Sequence, residues 1–283
     1  MAQRSFVIQS ATIHGVEALP VFVEVVISSG IPSFSIVGMA DATIMESRER
    51  VKAALRASGF VMPTDKIVVN LAPGALRKTG SGFDLPVALG ILAATGQINP
   101  EWVVGALVVG ELSLSGAVRA NVGMLAYQKC ALEHGWDIVT GIAERGFFSL
   151  EGVTCHILER LAHIRTGSFV SGRSFVSEPL NESLDYSEVL GHEAAKRALQ
   201  VAAAGNHGVL MVGPPGSGKT MLAQRFVTIL PDLNKVQKIE AALVHSVAGE
   251  DISSLLSGRR PFRSPHHSAT AAGLIGGGKP PHP

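Results

Sequence analysis

Eight consecutive residues, Gly213-Pro214-Pro215-Gly216-Ser217-Gly218-Lys219-Thr220, follow the pattern G-x-x-x-x-G-K-[ST]. Each residue type has a reason for its place. Glycines let the backbone curl until successive amide N–H groups point at the α- and β-phosphates of a nucleotide, and the positive end of a following helix strengthens the attraction. Lys219 is placed for the β- and γ-phosphates, and the Thr220 hydroxyl for Mg²⁺. The chemistry expected is the binding of a nucleoside triphosphate, ATP, with Mg²⁺. Such a loop must sit between a strand and a helix. The apolar run Val209-Leu-Met-Val212 reads as that strand, and Lys219 to Leu230, ended by Pro231, as that helix. The plain alternative is a glycine–proline turn that spells the pattern by chance, and the two flanking elements argue against it.

Hydrolysis asks for more: an acidic residue closing a second apolar strand, to hold Mg²⁺ through water and orient the attacking water. After Thr220 the acidic residues are Asp232, Glu240, Glu250 and Asp251. The best strand candidate, Val244-His-Ser-Val-Ala-Gly-Glu250-Asp251, is interrupted by His, Ser and Gly, so no catalytic residue is assigned. Residues 252–283 contain no acid at all but carry Arg259, Arg260, Arg263 and Lys279. The arginines with His266 and His267 read as a basic loop near the nucleotide or a ring pore that could meet DNA phosphates. A metal site on the two histidines is the weaker reading, because adjacent histidines do not face one ion comfortably and no Cys or carboxylate follows.

Around this motif the chain has 283 residues, 46% of them hydrophobic, which excludes a disordered or fibrous protein. Charge is nearly balanced at +1, so no domain reads as a magnet for polyanions. The two cysteines, Cys130 and Cys155, lack metal or redox-pair spacing and point to a reducing cytoplasm. The longest apolar runs fall well short of the ~18 residues of a membrane span, and the first ten residues lack the pattern of a signal peptide. The expectation is therefore a soluble cytoplasmic protein without a membrane partner.

Upstream of the loop, strands are expected over Val21–Ser28, Phe34–Val37, Lys66–Leu71, Val103–Val109, Leu112–Leu114, Ala117–Arg119, Trp136–Thr140 and Val153–Leu158. Helices are expected from an Asp41 N-cap to Gly59, from near Asp84 with Pro86 in the first turn, and over Val122–His134. On the first helix Glu46 and Arg50, and Lys52 and Arg56, form an ordinary solvated charged face. Strands alternating with helices argue an α/β or α+β domain over 1–165. Six serines, two glycines and a proline make 166–187 the linker. A capping signal at Ser187 and a helix over His192–Ala204 open the second unit, 188–283.

Taken together, Tyr186 to Leu199, the phosphate loop, Leu230-Pro231 and Arg260-Pro-Phe-Arg-Ser-Pro-His-His267 through Gly276-Gly-Gly278 resemble the magnesium-chelatase-like AAA+ proteins of the YifB/ComM family. Phe34–Gly38, Glu46–Arg50, Val69–Pro73 and Ser81–Pro86 resemble the N-terminal part of the same family. The resemblance implies a bacterial ATPase that forms a homo-oligomeric ring, a hexamer, with ComM-type members acting as DNA branch-migration helicases in natural transformation. It also implies nucleotide contacts at Val189, Gly191 and Met221 beside the loop. The fold implied is α/β: an N-terminal domain of the Lon-protease type (S5 domain 2-like), then the first part of a P-loop AAA+ domain. The family's acidic strand, sensors, arginine finger and helical lid would lie beyond Pro283, making the chain an N-terminal fragment with poor hydrolysis. Where Lon-type peptidases carry a Ser and Lys dyad, Gly82 and Leu125 stand here. The remaining readings are a Ser81 dyad with Lys78 or Lys129, and a chelatase-type motor that drives metal insertion.

Overall fold

The computed structural model describes residues 4–143, 148–171, 184–266, 268–271, 273, 276 and 277. Two compact units emerge, one of Met1–Val176 with Leu243–Glu250 and Ile275–Pro283, the other of Ser177–Ala242 with Asp251–Leu274. Residues 172–183 of the expected linker, and His267 and Lys279 of the basic segment, lie outside the described residues.

The chain is an α/β protein, and its sheet is in the first unit. In chain order this unit contains β1 (Arg4–His14), β2 (Glu17–Ser28), β3 (Ser33–Val37), α1 (Ala42–Ala57), β4 (Lys66–Ala72), α2 (Asp84–Ala94) and β5 (Ala106–Val108). The short strands β6 (Glu111–Leu112) and β7 (Val118–Arg119) precede α3 (Met124–His134), β8 (Asp137–Thr140), β9 (Cys155–Ile157) and β10 (Val170–Ser171). Eight strands form one mixed sheet in the order β10-β9-β8-β5-β1-β2-β4-β3, while β6 and β7 pair apart from it. β2 runs antiparallel to β1 and to β4, with Phe22 opposite Gln9 and Ala72. The sheet then continues in parallel through β3 on one side and β5, β8 and β9 on the other.

The period-two pattern of β2 explains its place. Val21, Val23, Val25 and Ile27 are buried on one face, as side chains two apart must be, and α2 packs there. Every residue of α2 from Asp84 to Leu92 is buried, so the helix is apolar on all sides because all sides are covered. Gly90 permits the approach: a Cβ there would lie 2.6 Å from Val25 Cγ2. Removing a buried side chain such as Leu89 would cost about 2–5 kcal/mol.

Most expected elements of this unit form with shifted ends: β2, β3 and β4 extend beyond their expected starts or stops, while β5, β8 and β9 are shorter. Asp41 does cap α1, its carboxylate accepting from Ile44 N at 2.9 Å. The strand expected from Val103 starts only at Ala106, because Asn99 caps a short 3-10 turn over Pro100–Trp102. Strand β1 was not expected from sequence. It is held by an eleven-residue antiparallel register with β2, a tertiary pairing that local pattern does not reveal.

Two charged side chains of this unit are buried deeply. Lys78 is fully buried, and its ammonium donates to Gly38 O at 3.0 Å, Leu71 O at 2.7 Å and Pro73 O. Three donors meet three carbonyls, tying the end of β3 to the end of β4, while desolvation pushes the lysine pKa down. Asp84 is equally buried; Arg50 Nε donates to its Oδ2 at 2.6 Å and Arg50 Nη2 to its Oδ1 at 3.0 Å. The solvated face expected for α1 is thereby corrected at Arg50. Its fork turns inward to a buried carboxylate, and Glu46 is the distant partner at 3.9 Å.

The second unit is helical: α4 (Glu193–Gly205), α5 (Lys219–Phe226) and α7 (Ser253–Ser257), with α6 (Lys235–Val247) running across the boundary between the two sets of residues. Its core joins Tyr186, Val189, Leu199 and Leu222. The strand expected at Val209–Val212 is not formed, and Leu210 and Val212 are each 88% exposed. A strand exists through its ladder partners, and among the described residues this unit has no other strand to offer one. Val244–Asp251, weighed as a strand, instead begins as the end of α6.

Candidate nucleotide-binding site

The loop turns at two glycines, Gly216 with φ 76° and Gly218 with φ 79°, backbone that a side chain would strain. Gly218 stands as the N-cap of α5, so Lys219 and Thr220 open the helix as expected. The first turn of any helix leaves amide N–H groups without intrahelical partners, and here they belong to the loop itself. Lys219 Nζ donates to Gly213 O and Pro214 O, both at 2.8 Å, and lies 3.2 Å from Ser217 Oγ. The ammonium is thus folded over the loop, close to where phosphate oxygens would need it. Gly216 has open space on its Cβ side, and Thr220 is exposed. Two left-handed glycines, one cation and an accessible hydroxyl at a helix start are groups that could hold a triphosphate and its Mg²⁺. The expected helix to Leu230 is a shorter α5 followed by a 3-10 turn over Val227–Ile229.

The segment before α4 is brought to the same place. Val189 is buried against Leu222 of α5, and Met221 packs on that cluster. Lys196 Nζ donates to Val189 O at 2.9 Å, and Glu188 receives Arg225 Nη2 at 2.7 Å. A Cβ on Gly218 would lie 3.5 Å from both His192 Nε2 and Met221 Cε. Met221 and His192 therefore border the loop at Gly218, while Val189 packs behind it on Leu222; sequence reasoning did not single out His192. Nothing in local spacing marks the Glu188–Arg225 pair, whose members are 37 residues apart. The capping signal at Ser187 works differently from its reading: Asp185 Oδ1 accepts from Ser187 N at 2.7 Å, and α4 starts after His192 without a side-chain cap.

Comparison with known proteins gives this geometry a context. Residues 185–283 match the family described as magnesium chelatase, subunit ChlI, and residues 23–140 match subunit ChlI of Mg-chelatase. The YifB protein of Salmonella typhimurium is 39% identical over 279 residues, 95% of this chain and 54% of that protein. The YifB protein of Escherichia coli gives the same identity and the same shares. The competence protein ComM of Haemophilus influenzae is 36% identical over 290 residues, 98% of this chain and 57% of that protein. The chain belongs to the magnesium-chelatase-like YifB/ComM family. It spans about half the length of the curated relatives it matches.

In this member of the YifB/ComM family none of the acids that follow the loop is on a strand: Glu240 is on a helix and Asp232, Glu250 and Asp251 are in irregular connections. Glu240 is on α6, Glu250 pairs with His245 Nδ1 at 2.8 Å, and Asp251 accepts from Ser253 Oγ at 2.7 Å. Among the described residues no three His, Cys, Asp or Glu side chains gather to hold a metal. In the basic segment Arg260 Nε donates to Pro231 O at 2.7 Å and His266 Nδ1 lies 2.7 Å from Ser268 Oγ.

The region of the peptidase dyad holds a different arrangement. Gly82 is buried, and a Cβ there would lie 3.1 Å from the Asn121 amide and from Val109 Cγ2. Leu125 is buried. Ser81 Oγ donates to Glu111 Oε2 at 2.8 Å, Lys78 is held by its three carbonyls, and Lys129 faces Glu17 at 3.6 Å and Glu133 at 3.9 Å. Ser81 pairs with neither lysine. Asp84 nearby is pushed up to about 6, first by desolvation, against the pull of Arg50.

No described helix is long and apolar enough to cross a membrane.

Proposed function

We propose that the second unit binds ATP with Mg²⁺, through the amides of Gly213–Gly218, the Lys219 ammonium on the β- and γ-phosphates, and the Thr220 hydroxyl on the metal. The observation that carries this reading is the pairing of two left-handed glycines with a lysine that opens α5 and folds over the loop. Val189, Gly191 and Met221 flank the base side. The protein to which this chain corresponds would work as an ATP-driven homo-oligomeric ring, a hexamer, in the cytoplasm. One relative is named a competence protein, and with the family resemblance this favours a role on DNA as a branch-migration motor in natural transformation. The basic residues Arg259, Arg260 and Arg263 are offered as phosphate contacts in that role. Hydrolysis by these residues alone is expected to be slow, since none of the acids after Thr220 closes a strand.

A titration of a fluorescent ATP analogue against the chain and its Lys219→Ala variant tests the reading. Losing charge-assisted bonds to two phosphates should weaken binding about a hundredfold. Equal affinity for both proteins would sink it.

A further inference from the structure

The first unit has an unassigned groove at the edge of its sheet. β3 is the terminal strand and pairs only with β4, so one side of its backbone ladder is open. Beside its first residues lies a cavity of about 300 Å³ lined by Phe34, Met62 and Ile67, with Pro32 and Pro63. From α1 come two cations, Lys52 and Arg56. The one acid that lines the cavity, Asp65, is already taken by Arg4 at 2.7 Å. Lys52 shares an i,i+3 pair with Glu49, whose side chain is 77% exposed; such a pair is worth little and readily exchanged. Apolar side chains on the adjoining chain stand in solvent, Ile31 at 86% and Val61 at 73% exposure. Val37, at the far end of β3, is half exposed.

An open edge with exposed apolar flanks is a template for another strand. Natural sheets commonly blunt such an edge with inward charges or a covering element; among the described residues no second strand pairs with β3, and the one side chain given on its backbone is Arg48, whose Nη1 reaches Phe34 O at a long 3.4 Å. We propose that the β3 edge takes an extended segment of a partner protein in which acidic and apolar residues alternate. The added strand hydrogen-bonds to the β3 backbone, one side chain fills the Phe34–Met62–Ile67 cavity, and the acids meet Lys52 and Arg56. Main-chain bonds supply affinity and the cavity with its cations supplies selection, as in other strand-addition sites. Charge complementarity decides the occupant: the groove has two cations to satisfy and no free acid among its lining residues.

The test is a fluorescence-anisotropy titration of the whole chain with a labelled peptide of alternating glutamate and valine. Saturable binding is expected, weakened roughly tenfold when Lys52→Gln and Arg56→Gln are combined, one half-buried and one exposed position, in a variant whose urea unfolding matches that of the parent chain. A lysine–valine peptide of the same length should not bind. A glutamate–valine peptide N-methylated at alternate amides should lose roughly tenfold, because it cannot pair with the edge. Equal binding of the basic peptide, or no effect of the two Gln substitutions, would overturn the proposal. Equal binding of the N-methylated peptide would overturn it in favour of an anionic apolar ligand that needs no strand. Self-association of the chain that is lost on Lys52→Gln and Arg56→Gln, with no peptide binding, would overturn it in favour of a second copy.

Discussion

Arg50→Met is the most informative single perturbation of the first unit. Asp84 is fully buried, and the substitution removes both bonds from the guanidinium, leaving the weaker one from Leu112 N at 3.3 Å. A buried charge deprived of its partner costs about 3–5 kcal/mol. That cost must depend on pH, because a protonated Asp84 needs no guanidinium. In the wild type the carboxyl is raised from 3.8 to about 6. Stability from a raised carboxyl is fully present below the unfolded value and is lost as pH rises through the folded value, a swing on the order of 3 kcal/mol for this shift. Without Arg50 the burial of the carboxyl is opposed only by the bond from Leu112 N and reinforced by nearby Glu111, so the folded pKa climbs further and the loss extends to higher pH. Urea unfolding can be followed by Trp102 and Trp136, the two tryptophans of the chain, both in this unit. The deficit of Arg50→Met should be about 3–5 kcal/mol at about pH 8 and clearly smaller at about pH 5. Adding Asp84→Asn should recover part of it and flatten its pH dependence. A deficit equal at both pH values, or no recovery in the double variant, would refute the reasoning.

Two further outcomes concern the same unit. Lys78→Met strands three carbonyls that now share one buried ammonium and should cost about 3 kcal/mol or more in the same unfolding assay; a loss under about 0.5 kcal/mol would mean the three contacts carry no stability. Gly82→Ser should yield no casein cleavage, because the new hydroxyl would face Asn121 and Val109 while the buried Leu125 stands where the resemblance would put the lysine; cleavage above the parent chain would contradict the expectation that no Ser and Lys dyad forms here.

The left-handed turns at Gly216 and Gly218 and the helix opened by Lys219 were legible because their causes are local: glycine conformation and a helix start within one turn. The same holds for Asp41 as the cap of α1 and for the stop of α3 at Gly135, which lies in the left-handed region with φ 68°. What escaped the sequence is tertiary. β1 reads as a polar-rich segment until β2 pairs with it, and Arg50 looks like a surface charge until Asp84, 34 residues away, is seen in the core. Lys78 carries no sign in its neighbours that it will be buried. Val209–Val212 failed in the opposite sense: its composition is that of a strand, but strand formation requires partners that the described residues of that unit do not supply.

The most direct measurement is the backbone amide spectrum of the chain, recorded by nuclear magnetic resonance as ATP and Mg²⁺ are added. The account predicts that shifts concentrate at Gly213–Thr220 and at Val189–Gly191, with the buried amides of β2 and β4 unmoved. Shifts absent from the loop, or confined to the first unit, would contradict it.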